Sequence, residues 1–296
     1  MKSKVIVIVG ATGSGKTSLS IEIAKELQGE VISADSRQVY KKLDIGTEKA
    51  TKEEMLGIPH HLIDVVEPHE VFNVTDFVEL GRETIADISS RGKTPIIAGG
   101  TGFYVDALLF DQEFPEVPPN DRLRKEFEDM EPDLLFSALE KLDPERAQTI
   151  DPNNKRRLIR ALEIIAALGK VPEIDEKESP YDILFIGIET DPDTHKAKLA
   201  TRLHQTIHEK DLLKEVEALR KELSDERMQE FGLEYKIALE HLDKKISIEE
   251  MEEKMLSELV KYVKRQKTWF KRNRDIHWFA PDLLDKAEEA AMAFLK

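Results

Sequence analysis

A glycine-rich segment directly follows the first apolar run of the chain and limits what the chain can fold into. The run is Val5–Val9, and residues 10–17 after it read Gly-Ala-Thr-Gly-Ser-Gly-Lys-Thr. The pattern G-x-x-x-x-G-K-[ST] between a predicted strand and a predicted helix is typical of a phosphate-binding loop, because its backbone N–H groups surround linked phosphates. We predict that a diphosphate binds the whole loop: Gly10, Ala11, Thr12, Gly13, Ser14, Gly15, Lys16 and Thr17. Lys16 would contribute positive charge, and the Thr17 hydroxyl would be a ligand of Mg²⁺.

The composition indicates a soluble globular protein of 296 residues, long enough for two domains. The absence of cysteine excludes disulfides and thiolate metal sites. No apolar run approaches the ~18–20 residues of a membrane span, and no leader segment is recognisable, so we expect a cytoplasmic protein. The net charge of −15 argues against nucleic-acid binding on average, but basic residues cluster at 155–160 and 261–274.

Apolar strands that alternate with amphipathic helices predict an α/β fold. Buried strands are expected at Val5–Val9, Thr94–Ala98 and Ile183–Ile188, with weaker candidates at Glu30–Ala34 and Leu62–Val65. This alternation is typical of a parallel sheet with right-handed crossovers. We therefore predict a P-loop NTPase-like parallel sheet flanked by helices.

The pattern changes at a proline cluster, residues 114–119, and a strand returns only after the loop 169–180. We predict a helical insertion over 115–180 in a catalytic core formed by 1–114 and 181–296. The C-terminal region is predicted to be helical, with stretches at 192–222, 226–242, 248–271 and 281–295.

Two further segments are expected at the carboxyl edge of the sheet, where ligands bind in open α/β folds. Residues 33–40 read Ser-Ala-Asp-Ser-Arg-Gln-Val-Tyr, and residues 99–102 read Gly-Gly-Thr-Gly. Asp35 is a candidate Mg²⁺ ligand or general base, and the Thr101 hydroxyl is a candidate phosphate ligand; either residue could instead cap a helix. The strand before Gly99 lacks the terminal Asp with which ATP-hydrolysing P-loop proteins hold Mg²⁺, which favours binding of a diphosphate leaving group over a motor function.

The histidine pairs are less informative. His60 and His61 are adjacent, so in a strand they point to opposite faces and make a poor metal pair. His204 and His208 have the i,i+4 spacing of metal ligands on a helix, but the sequence shows no third ligand beside them. We interpret both as surface residues of a helix.

Seven motifs occur in a fixed order along nearly the whole chain. They are residues 10–17, 33–40, 43–49 (Leu-Asp-Ile-Gly-Thr-Glu-Lys), 59–64 (Pro-His-His-Leu-Ile-Asp), 98–104 (Ala-Gly-Gly-Thr-Gly-Phe-Tyr), 151–163 (Asp-Pro-Asn-Asn-Lys-Arg-Arg-Leu-Ile-Arg-Ala-Leu-Glu) and 265–270 (Arg-Gln-Lys-Thr-Trp-Phe). This ordered set resembles the tRNA dimethylallyltransferases, also called tRNA isopentenyltransferases.

The resemblance implies transfer of a dimethylallyl group from dimethylallyl diphosphate to N6 of the adenosine 3′-adjacent to the tRNA anticodon, with release of diphosphate. It implies that Asp35 is the general base, that Thr101 contacts a phosphate oxygen, that Lys16 and Arg202 contact the diphosphate, and that Mg²⁺ is the cofactor. It also implies that the insertion grips the anticodon stem. The implied tRNA-binding residues are Asp35, Ser36, Arg37, Gln38, Thr101, Arg124, Arg156, Arg157, Leu158, Ile159 and Arg160.

The chain departs from the family pattern at two places, which concern tRNA contact more than chemistry. The helical segment Leu199–Val216 is shorter than usual and has Thr206 in place of one usual Arg. The usual Gly-Tyr-Lys-Glu appears here as residues 232–235, Gly-Leu-Glu-Tyr.

Two other functions stay open on the sequence. The same fold could prenylate free adenine nucleotides, as in cytokinin-forming adenylate isopentenyltransferases, although the basic residues of the insertion argue against it. Residues 10–17 alone would also suit a P-loop small-molecule kinase, which would leave the other motifs unexplained. We expect a monomer whose partners are tRNA and dimethylallyl diphosphate, without membrane contact.

Overall fold

The computed structural model describes residues 2–110, 114–172 and 178–296. Its strands are β1 (Ser3–Gly10), β2 (Glu30–Ser33), β3 (His60–His61), β4 (Pro95–Gly99), β5 (Tyr181–Ile188) and β6 (Ile276–Phe279). Within the described residues these six strands form one sheet in the order β3-β2-β4-β1-β5-β6, and every pairing is parallel. The predicted P-loop NTPase-like α/β fold is confirmed.

The central strand β1 is buried on both faces. Its residues 5–9 are 0% exposed, as expected for a strand of a covered parallel sheet that reads as one apolar run. Val7 pairs with Ile97 on one side and with Phe185 on the other. Val5, Val7 and Val9 belong to one apolar cluster, while the alternate residues of the strand belong to the cluster on the opposite face.

Thirteen α-helices occur in the described residues, of which the fourth to the seventh lie within residues 112–177. They are α1 (Lys16–Glu26), α2 (Val74–Ser90), α3 (Gly102–Leu109), α4 (Asp121–Glu128), α5 (Pro132–Leu142), α6 (Pro144–Ala147), α7 (Lys155–Leu168), α8 (Pro192–His208), α9 (Leu212–Leu219), α10 (Asp225–Gln229), α11 (Leu233–Leu242), α12 (Ile248–Phe270) and α13 (Leu284–Leu295). The longest, α12, starts with a capping box in which Ser247 and Glu250 satisfy each other's backbone N–H groups. None of the helices in the described residues is long and apolar enough to cross a bilayer.

Some predicted elements were wrong. The edge strand is His60–His61 rather than Leu62–Val65, because Leu62 has a left-handed φ of 60° and leaves the strand path. The stretch 192–222 is two helices, α8 and α9, separated at Asp211, whose φ is 61°. The stretch 226–242 is also two helices, with Gly232 at a φ of 131° between them.

The chain divides into two compact units. One comprises Met1–Asp111 and Glu178–Lys296 and contains the sheet, and the other is Gln112–Lys177. Each boundary falls three residues before the predicted one, at 111 instead of 114 and at 177 instead of 180.

The 112–177 unit has a core of its own between α5 and α7, which includes Leu135, Leu139 and Leu158. The Glu163 side chain on α7 is fully buried and accepts hydrogen bonds from Asn120 N at 2.7 Å and Arg124 Nε at 2.8 Å. Burial alone would raise the pKa of Glu163, but these hydrogen bonds outweigh it and lower the pKa. A buried, fully paired carboxylate therefore ties α4 to α7.

Candidate functional site

The loops predicted to carry the catalytic and diphosphate-binding residues lie together at the carboxyl edge of the sheet. Residues 10–17 follow β1, Asp35 follows β2, and Thr101 follows β4. Because β2, β4 and β1 are neighbours in that order, the loops after them meet at one edge. They line a single cavity of about 1070 Å³.

The loop 10–17 has the backbone that a phosphate cradle requires. Gly13 and Gly15 have φ angles of 77° and 100°, in the left-handed region that favours glycine. A side chain at Gly13 would also come within 2.9 Å of Leu199, whereas the space beside Gly15 is open. Ser14 is buried, and its hydroxyl has no hydrogen-bond partner among the described residues. An unpaired hydroxyl beside turned backbone amides suits phosphate oxygens.

Lys16 is held within this loop as a poorly solvated cation. Its Nζ donates a hydrogen bond to the Ala11 carbonyl at 2.8 Å. Burial lowers the pKa of Lys16 to about 8, Asp35 opposes this change, and Arg202 adds to it. An anion bound in the loop would supply the missing counter-charge.

Asp35 is held by its own loop, and the same loop contacts Thr101. Asp35 Oδ1 accepts hydrogen bonds from the backbone N–H groups of Arg37 at 2.8 Å and Gln38 at 3.3 Å. Thr101 Oγ1 accepts one from the Ser36 N–H at 3.4 Å, which connects the loops after β2 and β4. Among the described residues no hydrogen bond reaches Asp35 Oδ2. One carboxylate oxygen therefore caps the turn, and the other is available for chemistry.

Ser36, Arg37 and Gln38 also line the cavity, as expected for residues near a bound base. The amide of Gln38 is engaged in the scaffold, since it accepts from Ser33 Oγ at 3.0 Å and donates to Thr47 O at 3.2 Å. A contact between Gln38 and tRNA stays a prediction.

Two residues that the sequence did not mark as functional brace the phosphate loop. Gln266 of α12 accepts a hydrogen bond from Thr12 N and donates one to Gly100 O, each at 2.9 Å. His195 of α8 lies 2.8 Å from Thr12 O through Nε2 and 2.9 Å from Thr190 Oγ1 through Nδ1. The carbonyl can only accept, so we assign the ring proton to Nε2. Burial lowers the pKa of His195, which agrees with this neutral ring.

Arg202 of α8 lies beside the loop, but it is already paired. Its Nη2 donates to Thr12 Oγ1 at 3.1 Å, and its Nε is 2.8 Å from Glu48 Oε2. Thr206, which stands where the family usually has Arg, donates to Glu48 Oε1 at 3.1 Å. Burial raises the pKa of Glu48 even though Arg202 opposes this. Arg202 therefore reaches the diphosphate loop while sharing its charge with Glu48.

Glu234, at the start of α11, is another carboxyl group that lines the cavity. Burial raises the pKa of Glu234 to about 7, with Glu48 and Asp35 adding to the rise and Arg202 opposing it. Its charge therefore changes near neutral pH, in the cavity that the loop carrying Lys16 also lines.

Oxygen ligands suitable for Mg²⁺ are present but few. Thr17 is exposed and lines the cavity together with Asp35. Mg²⁺ keeps several waters and takes its remaining ligands from carboxylates or substrate phosphates. One hydroxyl and one carboxylate beside a phosphate loop fit that requirement.

The 112–177 unit presents only part of the predicted tRNA surface. Arg156 and Arg157 are exposed on α7, and Ile159 is half-buried. The prediction that Leu158 contacts tRNA is wrong: Leu158 is 0% exposed, because α7 buries this face against α5. Arg124 pairs with Glu163, and Arg160 Nη2 donates to Val117 O at 2.7 Å, so both arginines also hold the unit together.

Comparison with known proteins agrees with this arrangement. The model of the IPP transferase family matches residues 38–273. A tRNA dimethylallyltransferase of Anoxybacillus flavithermus is 41% identical over 285 residues, which cover 94% of this chain and 91% of that protein. The crystal structure of a tRNA isopentenylpyrophosphate transferase from Bacillus halodurans is 36% identical with a TM-score of 0.75, covering 99% of this chain and 97% of that one. A eukaryotic dimethylallyltransferase acting on tRNA is 32% identical with a TM-score of 0.81, covering 94% of this chain and 74% of that one.

Proposed function

Because the chain belongs to the IPP transferase family, we propose that it transfers a dimethylallyl group from dimethylallyl diphosphate to N6 of the adenosine 3′-adjacent to a tRNA anticodon. The observation that carries the proposal is that loop 10–17, Asp35 and Thr101 line one cavity of about 1070 Å³. Pockets of about 300–1,000 Å³ enclose drug-sized ligands, so a cavity at the upper end of that range has room for a five-carbon diphosphate and an unstacked base.

The phosphate loop and its neighbours would stabilise the leaving group. As the bond between C1 of the prenyl group and the diphosphate oxygen breaks, negative charge builds up on the diphosphate. Lys16, Thr101 and Arg202 line the same cavity as the phosphate loop and would surround that charge together with the backbone amides of the loop. Fixed donors of this kind stabilise the transition state more than the ground state.

Asp35 would remove the proton from the adenine amino group while the new bond from N6 to C1 forms. An adenine amino group is a weak nucleophile, so a positioned base increases the rate. Oδ2 would accept the proton, since Oδ1 is engaged by the N–H groups of Arg37 and Gln38.

Thr17 is the residue that would hold Mg²⁺ beside the diphosphate, and oxygens of the diphosphate and water would supply the other ligands. When bound, the ion would neutralise part of the charge on the leaving group. Its presence is a proposal supported by the donor types of the site.

tRNA binding would depend on local basic surfaces, because the net charge of the chain is −15. We propose that Arg156 and Arg157 contact the backbone of the anticodon stem and that the exposed basic residues of α12, such as Lys264 and Arg265, contact the loop. The same substrate implies action in the cytoplasm, where tRNA is used.

The decisive assay incubates the protein with Mg²⁺, labelled dimethylallyl diphosphate and an unmodified anticodon stem-loop. We expect label on a stem-loop with adenine next to the anticodon and none when guanine replaces it. AMP is the competing acceptor, and preferential labelling of AMP would identify an adenylate isopentenyltransferase instead. Calorimetry with ATP against dimethylallyl diphosphate tests the kinase alternative, which requires that ATP bind more tightly.

A further inference from the structure

A cluster of three metal-ligand side chains lies outside the catalytic cavity. His204 and His208 of α8 and Glu252 of α12 place one ligand atom each within 4.8 Å of the others, and no other such group occurs in the described residues. The interpretation of the histidine pair as surface residues of a helix is confirmed, and the third side chain comes from α12 rather than from an H-E-x-x-H pattern on α8. We propose that these three residues bind a divalent transition metal ion, with Zn²⁺ as the simplest occupant, and that the ion links α8 to α12.

The spacing of the ligand atoms suits such an ion. His204 Nδ1 is 3.1 Å from Glu252 Oε1, and His208 Nε2 is 3.2 Å from Glu252 Oε2. These distances run to the two different oxygens of Glu252, and a ligand set that uses one of them lies within 4.8 Å. Zn²⁺ binds imidazole nitrogen and carboxylate oxygen at ~2.0–2.2 Å in a tetrahedron, whose edges are then about 3.3 Å, so these side chains would close in on a bound ion. The i,i+4 spacing on α8 puts both rings on one helix face, where their centroids are 4.4 Å apart.

The donor types select the class of metal. Two imidazoles and one carboxylate favour Zn²⁺ and its neighbours in the transition series, whereas Mg²⁺ requires oxygen ligands. The three side chains leave a fourth position open for water. The side chains of His204 and His208 are 58% and 38% exposed, so an ion can reach the site from solvent.

Hydrogen bonds alone would produce the same distances, with each neutral ring donating to one oxygen of Glu252. The two arrangements differ in the position of the ring protons. Metal binding needs lone pairs at His204 Nδ1 and His208 Nε2, so the proton of each ring must lie on its other nitrogen. Direct measurement of metal binding therefore separates them.

A metal at this cluster would act on the scaffold of the catalytic site. The helix α8 carries His195, and α12 carries Gln266, the two residues that brace Thr12. An ion that joins these helices would stabilise the arrangement of both braces without taking part in the chemistry.

The test is a Zn²⁺ titration of the metal-free full-length protein by competition with a chromogenic chelator, in excess Mg²⁺. Substitution of a residue that only hydrogen-bonds to a metal ligand lowers metal affinity by about 10–100-fold. The ligand variants His208→Gln and Glu252→Gln should therefore bind Zn²⁺ at least about tenfold more weakly than wild type. Glu289→Gln and His277→Gln change exposed residues on neither α8 nor α12, in α13 and β6, and these variants should bind as wild type does. One Zn²⁺ per wild-type chain is expected, with a rise in melting temperature that both ligand variants lose.

Wild-type affinity and stoichiometry in both ligand variants would overturn the proposal. Loss of structure in a variant is recognised by a lowered melting temperature without metal, and His204→Gln then serves as the second ligand variant. As an independent readout, Co²⁺ should give visible absorption bands in wild type that disappear in these variants.

Discussion

The side chain of Gln266 accepts a hydrogen bond from the backbone N–H of Thr12 at 2.9 Å. The same amide donates to the Gly100 carbonyl, so one residue of α12 sets the separation between the loop after β1 and the loop after β4. These loops carry Lys16 and Thr101, which the proposed reaction places on the same diphosphate.

Replacement of Gln266 by Met should therefore weaken the site. Methionine fills similar space but leaves the Thr12 N–H and the Gly100 carbonyl unpaired, at a cost of about 1–3 kcal/mol in the free energy of unfolding. We expect weaker binding of dimethylallyl diphosphate in calorimetry and a lower midpoint in denaturant unfolding. Ser257→Met, at an exposed position of the same helix, is the control. Donor affinity equal to that of wild type would show that this brace does not position the loop.

The pKa of Glu234 predicts how donor affinity depends on pH. Below about 7 its carboxyl group is neutral, and above that value it places a negative charge in the cavity where the diphosphate binds. The dissociation constant of dimethylallyl diphosphate should therefore rise as the pH increases through 7. Lys16, with a pKa of about 8, acts in the same direction when it loses its charge.

Glu234→Gln separates the two contributions. In this variant the rise in the dissociation constant through pH 7 should become smaller, and only the part due to Lys16 should remain. Glu54→Gln changes an exposed carboxyl group at the same cavity and serves as the control. Identical pH profiles for wild type and Glu234→Gln would contradict the prediction.

Glu30 predicts part of the acid sensitivity of the fold. A hydrogen bond from Arg91 is the largest cause that lowers the pKa of Glu30 to about 2, and His61 assists, while burial opposes the change. Because the folded pKa is lower than the unfolded value of 4.5, the stabilisation is complete above about pH 4.5 and is lost as the pH falls towards 2.

Glu30→Gln should therefore lower the free energy of unfolding at neutral pH by about 2–3 kcal/mol and flatten its decline between pH 4.5 and 2. Denaturant titrations at several pH values measure both effects. Asp87→Asn removes the exposed partner of Arg91 and should change stability much less. A decline as steep as in wild type would mean that other carboxylates cause it.

The 112–177 unit offers a contrast between neighbouring residues. Replacement of both Arg156 and Arg157 by Ala should weaken tRNA binding and reduce the slope of log affinity against log salt by about 2, with little change in stability.

Leu158→Ala should instead lower the free energy of unfolding of this unit by about 2–5 kcal/mol, because it creates a cavity in the core. Binding titrations at several salt concentrations and thermal unfolding separate the two effects, and an unchanged salt slope would exclude the arginines from the interface.

The sequence was sufficient to predict the centre of the site, because its parts are local. Each of three segments, residues 10–17, Asp35 and Thr101, directly follows an apolar strand, and parallel strands bring their carboxyl ends to one edge. Apolar runs and turn residues are visible in a single sequence, and so were most helices.

Residues brought in by long-range packing could not be predicted in this way. His195 reaches Thr12 across 183 residues, and Glu252 reaches His208 across 44, and no periodicity encodes either contact. Leu158 was wrongly predicted to contact tRNA because it belongs to the motif 151–163, which mixes exposed residues with core residues. The motif alone does not indicate which face of α7 packs into the core.

The most direct test of the proposed mechanism is the single-turnover rate of prenyl transfer by the Asp35→Asn variant. The amide oxygen of asparagine can still accept hydrogen bonds from the N–H groups of Arg37 and Gln38, so the turn at residues 35–38 is preserved. The substitution removes only the carboxylate that would act as the general base. We predict a rate about 10²–10⁴-fold below that of wild type, with unchanged affinity for the anticodon stem-loop. A rate close to that of wild type would contradict the assignment of Asp35 as the group that accepts the adenine proton.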